Sequence, residues 1–397
     1  MNRENVFRHT ICAGFIGYII QAIVNNFAPL LFLTFHREYG ISLEHIGLLV
    51  TFNFGVQLAV DFLSARFLVK IGYRMGIVCA HVFAAAGLLG LAVLPQLLPN
   101  AFVGLLISVM LYGVGGGLLE VLVSPIVEAC PTDNKPAVMS LLHSFYCWGQ
   151  VGVVALSTVF FAVYGIEKWP IMACVWAVVA LLNGFYFSWV PLRTLEENAN
   201  ESTSVRQLLC MKRFWMLLLL MLCAGGCELS ISQWASAFTE SALGVSKTFG
   251  DLFGPCAFAV LMGTARVLYA KLSDRLEIGR YLFGCAMLCL AGYLLAALSP
   301  NAVGGLIGCA LCGFAVGVMW PGTFSMAAKE LPGGGTALFA LLALGGDVGC
   351  SVGPTLVGVV SSMFGDQLQV GLLAAAGFPV LLIVGLLLRK SMHRVRG

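Results

Sequence analysis

Twelve long apolar runs follow one another along this 397-residue chain, and they limit its possible folds more than any other feature. Each run is long enough to cross the hydrocarbon core of a bilayer as an α-helix, which takes about 20 residues. Only 10% of the residues are charged, whereas a soluble domain carries about 25%. We therefore expect an all-α polytopic membrane protein with twelve transmembrane helices.

A polar stretch at 192–212 divides the runs into two groups of six. We predict an N-terminal six-helix bundle at 1–191, a cytoplasmic linker at 192–212 and a C-terminal six-helix bundle at 213–397. The first run is too long for the core of a signal peptide, so it is read as a retained span. The predicted spans lie at about 10–35, 45–69, 75–98, 101–128, 137–164, 169–191, 213–239, 249–270, 280–299, 302–328, 335–363 and 367–388.

The positive residues indicate the orientation of these spans. With both termini in the cytoplasm, 18 of the 22 Lys and Arg residues fall in cytoplasmic segments. Only Arg37, Lys168 and Lys247 fall outside, and Arg266 lies within a span. This bias follows the positive-inside rule. We therefore expect a multi-pass protein of the plasma or inner membrane with cytoplasmic N- and C-termini.

The two halves of the chain repeat one another. Ala65–Arg74 matches Ala270–Arg280, and Gly113–Gly117 matches Gly313–Gly317, which sets Glu120 opposite Trp320. A third pair of glycine motifs sets Gln150 opposite Asp347. The repeat predicts two pseudo-symmetric bundles, with the substrate near the midplane of the membrane between them.

Glu120 lies inside the fourth run, directly after the glycines of Gly113–Gly117. A carboxyl group within a span is costly unless it faces protein or a water-filled cavity, and such acids mark substrate or proton pathways. A protonated or paired structural acid is the alternative. The glycines would let a neighbouring helix approach closely, and Ser124-Pro125 favours a local break one turn later.

The sequence also argues against disulfide bonds, a metal site and ATP-driven transport. Most of the fourteen cysteines fall within apolar runs, where cysteine acts as a small apolar residue, so free thiols are expected. Cys309 and Cys312 lack a second pair of ligands for a metal. The chain has no Gly-Lys-Ser/Thr nucleotide motif, which argues against an ATP-driven pump. We expect no enzyme activity, no metal, no cofactor and no nucleic-acid partner.

Several of these motifs resemble the major facilitator superfamily. Leu272-Ser-Asp-Arg275 is similar to its signature loop, G-x-L-x-D-R-x-G-R. Within the superfamily, the chain looks most like the fucose-permease-like sugar:proton symporters, which share the Asn25-Asn26 pair, the glycine-rich helix that runs into Glu120, and Glu228 before Trp234. The acid that follows the Asn-Asn pair in that group is replaced here by Ala28-Pro29.

The resemblance implies two six-helix halves around a cavity lined by the first, fourth, seventh and tenth helices. Amides and carboxylates there could bind sugar hydroxyls, and aromatic rings could pack on sugar faces. The alternative for each Asn or Gln is a hydrogen bond between helices, worth roughly 0.6 kcal/mol. The candidate substrate-binding residues are Asn25, Asn26, Glu120, Gln150, Glu228, Gln233, Trp234, Trp320 and Asp347.

Three cations or acids are candidates for conformational control. Asp274 and Arg275 belong to the signature loop, and Arg266 either extends its charge to the membrane surface or forms a gating ion pair. His143, in the fifth run, either satisfies a neighbouring carbonyl or relays protons. Asp347 could equally pair with a helix end.

The sequence thus favours a monomeric secondary transporter, surrounded by membrane lipid, that moves a small polar solute, a sugar or related metabolite, by alternating access. Proton-coupled symport is the expected mechanism, with Glu120 as the protonation site, because burial favours the neutral acid. The alternatives are an exporter of amphipathic compounds and a transporter-like sensor that binds without translocating.

Overall fold

The computed structural model describes residues 3–132, 135–193, 205–272, 277–331 and 335–394. Within these ranges the regular structure is helical, and twelve segments are long and apolar enough to cross a membrane. The predicted number of spans and the all-α class are therefore confirmed.

The chain divides into two compact units. Unit 1 contains Met1–Ile41 and Phe52–Glu197, and unit 2 contains Ser42–Thr51 and Asn198–Gly397. The third helix of the chain is therefore shared, since its first turns belong to unit 2 and the remainder belongs to unit 1.

The described residues of unit 1 form seven α-helices, two of which make up the first span. The helices are α1 (Arg3–Asn26), α2 (Phe32–Tyr39), α3 (Leu43–Ile71, with the shared start), α4 (Tyr73–Leu97), α5 (Ala101–Glu128), α6 (Lys135–Tyr164) and α7 (Trp169–Trp189).

Unit 2 follows the same plan with more interruptions. Its helices are α8 (Val205–Leu209), α9 (Lys212–Ser232), α10 (Ala235–Ser241), α11 (Lys247–Asp251), α12 (Ala257–Leu272), α13 (Ile278–Leu298), α14 (Ala302–Val316), α15 (Met319–Glu330), α16 (Gly335–Met363), α17 (Leu368–Ala375) and α18 (Gly377–Arg394). A π-helical turn, Leu252–Cys256, joins α11 to α12.

The first span of each unit is interrupted at a polar residue. Between α1 and α2 the chain makes a 3-10 turn over Ala28–Leu31. Pro29 has no backbone N–H, so the carbonyl of Asn25 loses its usual donor within the helix. Between α9 and α10 the helix is interrupted at Gln233 and Trp234. Each interruption therefore lies beside side chains that the sequence marks as site residues.

The break predicted at Pro125 is not observed, because α5 continues through this residue to its end. Pro125 lies in the last turn, where the loss of one hydrogen bond disturbs little of the helix. The corresponding span of unit 2 does break, at Gly317 and Val318 between α14 and α15. There Pro321 lacks the N–H that would bond to the carbonyl of Gly317.

The glycines of α5 let two helices approach it closely, as predicted. A Cβ atom at Gly115 would lie 2.6 Å from the backbone nitrogen of Ala84 on α4. Cβ atoms at Gly116 and Gly117 would lie 3.1 Å and 3.0 Å from atoms of Gln57 on α3. Small residues allow this approach in membrane helices, and they hold α5 in register with α3 and α4 just before Glu120.

Polar side chains cap the helices at their ends. The guanidinium of Arg74 donates to the carbonyls of Phe187, Ser188 and Val190 at the end of α7, over distances of 2.7–3.0 Å. Cations at a helix C-terminus satisfy its free carbonyls and its dipole. This interaction fixes the start of α4 to the end of α7 in unit 1.

Candidate functional site

Glu120 of unit 1 is held by an amide from α1. Its side chain is half-buried, and Gln21 Nε2 donates to Glu120 Oε2 at 2.9 Å. Gln21 is itself buried, with 5% of its surface exposed. Gln21 is not among the residues predicted from the sequence, although Tyr18, Gln21 and Asn25 are spaced three and four residues apart and so share one face of α1. That spacing of polar residues within an apolar run was the available signal.

A pair of hydroxyl groups lies one turn from this contact. Tyr18 Oη and Ser124 Oγ are 2.8 Å apart, and either oxygen can be the donor. The ring of Tyr18 also meets the ring of His143 edge-on, with centroids 5.3 Å apart. Helices α1, α5 and α6 therefore bring Glu120, Gln21, Tyr18, Ser124 and His143 together.

The two asparagines of α1 have different partners. Asn25 Oδ1 accepts from Asn53 Nδ2 at 3.2 Å and from Gln57 Nε2 at 2.9 Å, both on α3. All three amides are buried. Asn26 Nδ2 donates to the carbonyl of Ala22 in its own helix at 2.9 Å. Asn25 thus joins α1 to α3, which is the interhelical role that the sequence left open beside substrate binding.

In unit 2, Glu228 lies beside a cation. Arg266 Nη2 on α12 is 4.0 Å from Glu228 Oε2 on α9, and 12% of the Glu228 side chain is exposed. Arg266 Nε also donates to the carbonyl of Gly317 at 3.3 Å. This is the carbonyl that Pro321 leaves without a donor inside the helix. Arg266 therefore joins α9 and α12 to the break between α14 and α15.

The aromatic candidates of unit 2 contact helix α16. Trp234 is fully buried, and its Nε1 donates to the carbonyl of Pro354 at 2.9 Å. The ring of Trp320 lies against the backbone of Gly346, the neighbour of Asp347 in sequence. Trp320 and Asp347 are both half-buried. Trp320 therefore packs on α16 beside Gly346, whereas the Trp234 indole donates to a backbone carbonyl of the same helix.

The remaining predicted residues are placed as follows. Gln233 is buried at the interruption after α9, and Gln150 is buried on α6 of unit 1. Asp274 and Arg275 lie outside the described residues. Among the residues that are described, no group of three His, Cys, Asp or Glu side chains could hold a metal ion.

In the described part of the chain, twelve apolar spans and the half-buried carboxyl groups of Glu120 and Glu228 within them define a polytopic membrane protein with the features of a solute transporter. The family model described as Major Facilitator Superfamily matches residues 10–354. The chain therefore belongs to the Major Facilitator Superfamily of transporters, as its signature loop and repeated halves predicted.

A curated relative and several solved structures are similar to the chain. The membrane protein MosC of Rhizobium meliloti is 25% identical over 345 residues, which cover 82% of this chain and 80% of MosC. The nucleoside transporter NupG aligns with a TM-score of 0.79 and 12% identity, covering 96% of this chain and 99% of NupG. These similarities are spread over nearly the full length of each protein.

Two further structures share the fold. A bacterial homologue of the human lysosomal transporter Spinster aligns with a TM-score of 0.77 and 13% identity, covering 97% of both chains. The E. coli fucose:proton symporter FucP aligns with a TM-score of 0.62 and 16% identity, covering 96% of this chain and 98% of FucP. At these identities the likeness concerns the fold alone.

Proposed function

We propose that the protein is a secondary transporter that moves a small polar solute by alternating access, and that protons bound at Glu120 drive it. The solute class is a sugar or a related metabolite. Residues 1–191 and 213–397 are the two halves that move, joined by a cytoplasmic linker at 192–212, and both termini face the cytoplasm.

The observation that carries this proposal is the difference between the partners of Glu120 and Glu228. Glu120 accepts a hydrogen bond from the neutral amide of Gln21. Glu228 faces the guanidinium of Arg266. Protonation of Glu228 would remove the negative charge that faces this guanidinium within a membrane span, which is unfavourable. Protonation of Glu120 breaks no such ion pair, so Glu120 is suited to bind and release a proton during transport.

The choice of a polar solute is supported by chemistry and by likeness. Membrane spans that carry amides, carboxyl groups and a half-buried tryptophan can bind hydroxyl groups and stack on an apolar ring face. Among the structures that share this fold, FucP is named as a fucose:proton symporter and NupG as a nucleoside transporter. Both solutes combine hydroxyl groups with a ring.

The proposal is tested with purified protein in liposomes and an imposed inward proton gradient. Radiolabelled fucose, glucose and uridine are the first probes, and the lipophilic cation tetraphenylphosphonium represents amphipathic cargo. We expect uptake of at least one polar probe above its equilibrium level, and loss of that accumulation when a protonophore removes the gradient.

Other outcomes would reject the proposal. Movement of tetraphenylphosphonium alone would indicate the exporter of amphipathic compounds. Saturable binding of a polar probe without any flux, in either direction, would indicate a sensor. Accumulation that persists with the protonophore would exclude protons as the driving ion.

A further inference from the structure

One helical turn from the contact between Gln21 and Glu120, towards the N-terminus of α1, the helices α1 and α5 form a second layer of polar contacts. Ser124 follows Glu120 by four residues and Tyr18 precedes Gln21 by three, so each lies one turn further along the same helix face. The two hydroxyl oxygens are 2.8 Å apart. Both helices thus repeat a polar contact at one-turn spacing, in the direction of the α1 N-terminus.

Apolar contacts continue the interface beyond this layer. Val123 Cγ2 would lie 3.0 Å from a Cβ atom at Gly17, and Val127 packs even more closely against Gly14. Side chains of these types cannot carry protons. In this part of unit 1, the hydroxyl groups of Tyr18 and Ser124 are therefore the polar groups along which a proton can leave Glu120 between α1 and α5.

The third component is an exposed imidazole. His143 lies near the start of the span Leu141–Tyr164, and its side chain is exposed, whereas Tyr18 is only 7% exposed. The two rings meet edge-on at 5.3 Å. The titratable groups that face Tyr18 are thus Glu120 from α5 and His143 from α6. The series runs from the half-buried Glu120, through the half-buried Ser124 and the buried Tyr18, to the exposed His143.

We propose that Ser124, Tyr18 and His143 form the proton relay that connects Glu120 with the aqueous phase. This inference rests on the proposed binding of a proton at Glu120. It gives His143 the relay role rather than the purely structural one, and it assigns a function to two hydroxyl groups that substrate binding does not require.

The transfer balances at each step. The O–H bond of the Glu120 carboxyl breaks, and its proton passes through a bridging water to the oxygen of Ser124. The original proton of Ser124 passes to Tyr18, and that of Tyr18 passes through a second bridging water to a ring nitrogen of His143. Each hydroxyl gains one proton and gives up one. Glu120 ends ionised, and His143 passes the proton to bulk water. A single water can bridge polar groups that are too far apart for a direct hydrogen bond.

The test uses the proton itself as the probe, so it needs no knowledge of the solute. Purified protein in lipid nanodiscs is subjected to a rapid pH jump while infrared absorption of protonated carboxyl groups is followed. The band of Glu120 is identified as the one that Glu120→Gln removes. We expect Tyr18→Phe to slow the response of this band on the order of 10²-fold, as when a positioned proton-transfer group is removed. The midpoint of its titration should change little.

Two further variants separate a relay from a structural contact. His143→Gln should slow the response in the same way, and added imidazole should restore the rate, because the side chain at this position is exposed at the protein surface. Tyr186→Phe is the matched control, since Tyr186 Oη also contacts a histidine, His9 Nδ1, at 2.7 Å in unit 1. This control should respond at the wild-type rate.

The outcomes distinguish the relay from the proposed function. If the Glu120 band responds equally fast in wild type, Tyr18→Phe and His143→Gln, the relay is wrong while proton binding at Glu120 stands. If no carboxyl band that depends on Glu120 responds to the pH jump, the proton site itself is wrong. A slow His143→Gln variant that imidazole does not rescue would indicate a structural role for His143 and would overturn the relay.

Discussion

At the scale of single residues, Asp251 shows how burial decides what an ion pair contributes. Only 1% of its side chain is exposed, and Lys247 Nζ contacts both carboxylate oxygens, at 3.0 Å and 2.8 Å. Ser236 Oγ donates to Oδ1 at 2.5 Å. The cluster ties α10 to α11. Arg280 and Glu277 also pair, at 2.7 Å, but their side chains are 87% and 60% exposed.

These two ion pairs should respond differently to the loss of their cation. Lys247→Gln removes the cation that contacts both oxygens of the buried Asp251 carboxylate, which should reduce stability by roughly 3 kcal/mol. Arg280→Gln removes a solvent-screened partner and should leave stability unchanged. Thermal unfolding of the two purified variants in the same detergent measures this. Equal melting temperatures would show that the Asp251 cluster does not stabilise unit 2.

The sequence identified Glu120 because an acid in a span is conspicuous by position alone. It did not identify Gln21, Asn53 or Gln57, which hold the amide and carboxyl groups of α1 and α5 in place. The reason is physical. A lone amide in an apolar run acquires a role only through the helix that faces it, and facing is a property of the packed structure. For the same reason the sequence marked Asn25 as a candidate residue but could not decide between substrate binding and a hydrogen bond to a neighbouring helix.

At the scale of helices, close contacts through glycine determine how α5 sits in unit 1. A Cβ atom at Gly115 would meet the backbone of α4, 2.6 Å from Ala84 N and 2.7 Å from Ala80 O. Backbone atoms cannot give way as a flexible side chain can. Gly152 on α6 differs, because a Cβ atom there would meet nothing within 4 Å.

Alanine substitutions at these two glycines form a matched pair. Gly115→Ala should push α4 and α5 apart and destabilise the protein by about 1–3 kcal/mol, as overpacking does. Gly152→Ala should be neutral or slightly stabilising, because alanine is the better helix former. Melting temperatures in detergent are the measurement. A Gly115→Ala variant as stable as Gly152→Ala would contradict the packing described for α5.

Helix interruptions were harder to predict than the helices themselves. The break at Gly317 has visible signals, a glycine and Pro321 four residues later. The interruption at Gln233 and Trp234 has none, because no proline or glycine lies near it in the sequence. There the indole of Trp234 bonds to a carbonyl of α16. Such tertiary interactions can override local helix propensity. The prediction of a break at Pro125 was wrong for a different reason, since Pro125 lies in the last turn of α5.

At the scale of the whole molecule, two repeated halves carry acids in different surroundings. Hydrophobicity predicted the twelve spans, and the resemblance of the repeated motifs and the loop at 272–275 to a known family predicted the family, because each depends on local patterns in the sequence. Which acid has a cationic neighbour could not be predicted, since Arg266 and Glu228 are 38 residues apart in sequence and meet only when α9 and α12 pack. Because of this difference, we expect Glu120 to bind the coupling proton and Glu228 to remain ionised beside Arg266.

The division of roles is tested most directly by Glu120→Gln and Glu228→Gln in the same liposomes. The probe is whichever of fucose, glucose and uridine the wild-type vesicles take up. Counterflow exchange needs no net movement of protons, whereas accumulation against a gradient does. Glu120→Gln mimics the neutral acid, so it should retain counterflow and lose accumulation driven by the pH gradient. Glu228→Gln removes the carboxylate that faces Arg266 and should weaken both activities together. If Glu120→Gln still concentrates the probe against its gradient, Glu120 does not carry the coupling proton and the account is wrong.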